Sequence, residues 1–210
     1  MKDYERKSQE LLSSNQDEQY IELVKSALAE VSDEGLLAKL VGSIYEKKIT
    51  SGYWLVESYV NKFPNSVHII RVYLADLWAQ QGKYDESSND ARIYLWMLRE
   101  SGYLGSLSDN PILQEGAARA ILLLTAVYTE LGARSYSIRV LKQGLKFDLA
   151  NDWKVCYQNE LESLQSELNE SKIKVLDAKW EAFFSAGDGL EYVDKCCVDK
   201  GYNLLRKRLE

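Results

Sequence analysis

An apolar residue returns every three or four positions in segment after segment of this chain. That 3.6-residue period constrains the fold more than any other feature. Tyr20, Val24, Ala27, Leu28 and Val31 share one helical face, and Leu37, Leu40, Val41, Ile44 and Tyr45 share another. Ile70, Tyr73, Leu74, Leu77 and Trp78 repeat the pattern, as do Ala117, Ile121, Leu124, Tyr128 and Leu131. No sustained two-residue alternation occurs, so no strand is predicted. Only two prolines, Pro64 and Pro111, interrupt 210 residues. A proline inside a helix costs about 3 kcal/mol, so their scarcity suits long helices. The expected fold class is all-α.

Punctuation places the helix ends. Asn15 precedes Glu18 by three residues, which predicts a capped helix start at Asn15. Asn110-Pro111 reads as an N-cap followed by proline in the first turn. Gly82 and Gly132 each close a periodic segment, where a left-handed cap favours glycine. Phe63-Pro64-Asn65-Ser66 ends one helix and prepares the next. The resulting helices span 3–12, 16–31, 34–48, 53–62, 67–81, 85–100, 111–131, 135–147 and 152–170. Two more, 172–185 and 190–206, follow in a tail, with Asp188 and Glu191 marking the second start. Residues 101–110 are the clearest loop.

Charge narrows the partners. The net charge is −6. Residues 1–35 hold four basic and nine acidic side chains, whereas residues 36–71 hold five basic and two acidic. No continuous basic stripe suits a phosphate backbone. Arg206-Lys207-Arg208 is the one basic cluster, and a solvated helix end accounts for it. Neither nucleic acid nor membrane is an expected partner. The apolar runs fall short of the ~20 residues a bilayer needs, and the charged Met1–Lys7 stretch has no signal-peptide apolar core. Three cysteines, with Cys196 and Cys197 adjacent and Cys156 apart, make no disulfide framework and fit a reducing cytoplasm.

Two segments align with each other. Leu74-Ala75-Asp76-Leu77-Trp78 with Gly82 and Tyr84 matches Leu124-Thr125-Ala126-Val127-Tyr128 with Gly132 and Arg134. In both, a large aliphatic precedes a small residue, then an aromatic, then a glycine four positions on. This resembles the first helix and turn of a tetratricopeptide-repeat (TPR) unit. Ala91 with Tyr94-Leu95, and Val140-Leu141 with Gly144-Leu145, are similar to second TPR helices. Val41-Gly42-Ser43-Ile44-Tyr45, followed by Tyr59 and Pro64, resembles an earlier, degenerate unit. Departures exist. The two glycines stand 50 residues apart rather than one repeat length, so a loop insertion near 101–116 is implied. Ser87 occupies a position where the family favours alanine, and Arg134 replaces the aromatic after Gly132.

The resemblance implies antiparallel helix pairs stacked as a right-handed superhelix, since one pair cannot hide its apolar face alone. On this reading residues 1–33 are an acidic helical segment, 34–147 the repeat array and 148–208 a helical extension or cap, all in one compact domain. It also implies a non-catalytic scaffold or adaptor that binds another protein or a peptide in its groove. The groove-facing positions are Val72, Tyr73, Asp76, Ala79 and Gln80, then Arg119, Leu122, Leu123, Ala126, Thr129 and Glu130. Chaperone-binding members hold a C-terminal carboxylate with lysine and asparagine. Val72 and Asp76 stand in those places here, so that clamp is not expected. The acidic surface favours a basic or mixed partner. A peptide-sensing or self-oligomerising regulator is the alternative.

Chemistry-bearing constellations are thin, and no enzyme is expected. His68, the one histidine, sits near a helix start without a paired nucleophile. The cysteines lack metal-ligand spacing, so neither a metal nor another cofactor is expected. Gly187-Asp188-Gly189 reads as a helix–helix turn, not a phosphate loop. Trp78 and Tyr128 are expected in the core. Tyr94-Leu95-Trp96-Met97-Leu98 is wider than one stripe: either this helix is buried on several sides, the preferred reading, or Trp96 lies on a binding face.

Overall fold

The computed structural model describes residues 2–166. The expected helices 172–185 and 190–206, the 187–189 turn, Cys196, Cys197 and Arg206-Lys207-Arg208 lie outside the described residues. Within them the chain is all-helical, without a strand. Nine α-helices run in order among the described residues, plus short 3₁₀ turns. Backbone contacts divide the chain between Leu74 and Ala75 into two compact units. The division falls inside the helix Ile70–Gln80.

The first unit holds α1 (Lys2–Ser13), α2 (Asp17–Glu30), α3 (Glu34–Glu46), α4 (Trp54–Lys62) and the start of α5 (Ile70–Gln80). Both α1 and α2 pack on α3. Tyr20, Val24 and Ala27 of α2 and Leu37, Val41 and Ile44 of α3 form its core. Each buried valine, leucine or isoleucine among them stabilises by about 1.5–3 kcal/mol through loss of wet apolar surface. Lys62, at the end of α4, donates its ammonium to the carbonyls of Leu28 (2.6 Å) and Val31 (2.7 Å). A cation is thereby placed at the carbonyl end of α2, where the helix dipole favours it.

Asn15 closes α1 instead of opening α2. It adopts φ 51°, and the N–H of Gln16 reaches back to the carbonyl of Leu11. Within the short 14–16 connection Asn15 takes the left-handed conformation, which asparagine tolerates. Lys48 does the same for α3 at φ 57°, which ends that helix two residues before the expected 48. A lysine side chain gains nothing from that geometry. Lys48→Gly should therefore raise stability by about 0.5–1 kcal/mol in urea unfolding. A loss of stability would mean that the turn is held by the lysine side chain.

The second unit takes the rest of α5, then α6 (Tyr84–Glu100), α7 (Pro111–Glu130), α8 (Arg134–Gly144) and α9 (Asn151–Ser166). Asn110 caps α7 by accepting from the N–H groups of Ile112 and Leu113, with Pro111 in the first turn, as the sequence predicts. Gly82 (φ 72°) and Gly132 (φ 73°) end α5 and α7 in the same way, with the next residue's N–H bonded to the carbonyl of Trp78 or Tyr128. The tight turn at Gly132 sends α8 back antiparallel along α7. Ser137 Oγ accordingly meets the Thr125 carbonyl (2.9 Å), and the Tyr128 and Tyr136 rings lie 6.0 Å apart. Small side chains at that crossing let the two backbones approach. α7 also packs on α6, and α8 on α9.

The 101–110 loop is tied down. Leu107 is fully buried, the Ser108 N–H and hydroxyl donate to Asp148, and Gln114 donates to the Leu107 carbonyl. Those two bonds hold the Asp148 carboxyl below its ordinary range.

Candidate functional site

The expected groove residues separate into two groups. Val72 and Tyr73 belong to the core of the first unit, at 2% and 4% exposure. The Tyr73 ring stacks on Tyr45 at 4.1 Å, and its hydroxyl donates to Glu46 (2.9 Å). Gly42 faces this packing, where a β-carbon would make ordinary contact with Ile70 (3.4 Å) and Tyr73 (3.8 Å). Neither Val72 nor Tyr73 presents a free surface.

The other nine lie in the second unit. On α5, Asp76 is half-buried and accepts from the exposed Gln80 amide at 2.5 Å. On α7, Arg119, Ala126 and Glu130 are exposed, with Leu122 and Leu123 half-buried among them. These α7 residues recur at helical spacing and form one stripe, to which the exposed Ile112 and half-buried Glu115 also belong. The opposite face of α7 is core: Ala117, Ala120, Ile121, Leu124 and Tyr128 are at most 2% exposed. Burial of that face against α6 and α8 fixes which way the stripe looks.

Charge is arranged along the stripe. The Arg119 guanidinium pairs with Glu115, one turn earlier, at 2.8 Å. Glu130 stands in the last turn of α7, which holds no basic residue. A carboxylate there faces the negative end of the helix dipole. Among the described residues Glu130 has no ion-pair partner. Two leucines thus sit between a cation and an anion on a rigid helix.

Other expected features are placed differently. Trp78 is half-buried rather than core, because its indole N–H reaches Asp90 (3.2 Å) and Lys83 lies over its ring at 4.3 Å. A buried indole needs such a partner for its N–H, and the partner here is at the surface. Tyr128 is buried. Tyr94, Leu95, Met97 and Leu98 are buried, so α6 is covered on several sides, while Trp96 stays half-buried. His68 is half-buried; its backbone N–H donates to Ser66 Oγ, and its ring nitrogen stands 4.0 Å from Glu34. Cys156 is an exposed free thiol on α9. No group of three or more potential metal ligands gathers among the described residues. No described helix is long and apolar enough to cross a membrane.

One depression was not foreseen. It lies between α1 and α2, with a volume of about 420 Å³, and is bordered by Tyr4, Lys7, Leu11, Glu22 and Leu23. Its charges satisfy one another, Lys7 with Asp3 (2.8 Å) and Tyr4 with Glu30 (2.9 Å). The contiguous α7 stripe is the stronger candidate surface. No protein-family model, curated protein or solved structure matches the chain.

Proposed function

We propose that the chain is a non-catalytic interaction module and that the outward stripe of α7 docks another polypeptide. The observation that carries this reading is the pair Leu122 and Leu123, half-buried on a helix whose opposite face is fully committed to the core. Apolar side chains on a rigid, preformed face between charged neighbours are the makings of a docking surface. The repeated glycine turn at Gly82 and Gly132, and the small-residue crossing of Thr125 and Ser137, support a TPR-like pairing of α5 with α6 and of α7 with α8. In that arrangement the first helix of each pair would carry the ligand. Val72 and Tyr73 are not part of this proposal, being occupied with packing.

Leu123→Glu tests it. The substitution is expected to cost about 1 kcal/mol, because the site is half-buried, and to leave thermal unfolding cooperative. It should reduce recovery of a partner from the native cell by about tenfold or more, measured by quantitative mass spectrometry against the unsubstituted chain. Identical recoveries with both baits would remove the stripe from consideration.

A further inference from the structure

The stripe on α7 is complementary to itself. Arg119 and Glu130 lie equally far from the point between Leu124 and Thr125, and they carry opposite charges. Leu123 and Ala126 lie equally near that point, one large and one small. At about 1.5 Å per residue, Arg119 and Glu130 are separated by roughly 16 Å along the axis. Two copies of α7 laid antiparallel about a two-fold axis at that midpoint bring each Arg119 opposite the other Glu130. The same operation seats each Leu123 over the other Ala126. A surface that meets its own copy in this way is what an isologous interface requires.

We infer that the partner docking on this stripe is a second copy of the chain; the inference rests on the reading of the stripe as a docking face. Charge favours this occupant. Glu130 lacks an ion pair among the described residues and sits at the helix end where a carboxylate is disfavoured, so an arriving guanidinium relieves it. Arg119 is held only by a surface pair to Glu115 on its own helix, a weak contact that leaves it able to reach across. Ala126, exposed and small, gives the two backbones room to approach.

Sedimentation velocity of the full chain across a dilution series is the test. A reversible monomer–dimer equilibrium is expected. Arg119→Glu alone, or Glu130→Arg alone, sets like charges against each other across the axis and should raise the dissociation constant about tenfold or more. The double substitution, Arg119→Glu with Glu130→Arg, restores opposite charges and should return to within about threefold of the starting value. Thermal midpoints of all three variants check that the fold is kept. A monomer at every concentration, or a double variant no better than the singles, overturns self-pairing. If the chain is monomeric yet captures a different protein through Leu123, self-pairing alone fails; if neither occurs, the docking face fails as well.

Discussion

Replacing Tyr157 with alanine should lower the stability of the second unit by about 3–5 kcal/mol, the usual cost of emptying a fully buried aromatic site. Tyr157 holds α9 in place. Its ring is completely buried and lies against Gly144 of α8, where even an added β-carbon would come within 2.8 Å of it. Its hydroxyl crosses to α7 and donates to the Ala118 carbonyl (3.1 Å). Burial pushes the phenol well above its ordinary range, so the side chain stays neutral and able to donate. Tyr157→Phe keeps the ring and removes one buried hydrogen bond, at a cost of about 1–2 kcal/mol. Urea unfolding followed by circular dichroism separates the two variants. Equal, small losses for both would mean that α9 is not anchored through this ring.

Gly116→Val should cost about 3 kcal/mol, near the upper end of what overpacking usually does. Gly116 lies on the buried side of α7, under Tyr94 of α6. A β-carbon at Gly116 would strike the Tyr94 hydroxyl and lie 2.8 Å from Cζ, and Tyr94 has no exposed surface into which to retreat. Valine adds two methyl groups to that collision. Its better helix propensity, worth less than about 1 kcal/mol against glycine, does not offset it. Gly116→Ala should fall between, and adding Tyr94→Phe to it should recover part of the loss. A valine variant as stable as the starting chain would contradict this close approach of α6 and α7.

Local chemistry explains what the sequence revealed. The capped start at Asn110-Pro111 and the glycine turns at 82 and 132 depend on backbone requirements that a few adjacent residues satisfy or fail. Helices from 34 to 147 were therefore placed to within a few residues. Asn15 and Lys48 were misread or missed for a related reason. Asparagine serves equally well at either end of a helix, and lysine carries no mark of a left-handed backbone. Gly116 and Gly144 escaped because their need is tertiary: each makes way for a tyrosine many residues distant, Tyr94 or Tyr157. Among the groove candidates, period alone put Val72 and Leu123 on comparable faces. Only packing distinguishes them, since Val72 is buried and Leu123 is half-exposed to solvent.

The central claim is that one face of α7 is spent on the core and the other is free to dock. Hydroxyl-radical footprinting of the dilute chain, resolved residue by residue along α7, tests it most directly. Leu122 and Leu123 should oxidise readily while Ile121, Leu124 and Tyr128 stay protected, and the protection of the first two should grow as the chain is concentrated. Comparable oxidation on both faces at all concentrations would contradict the account.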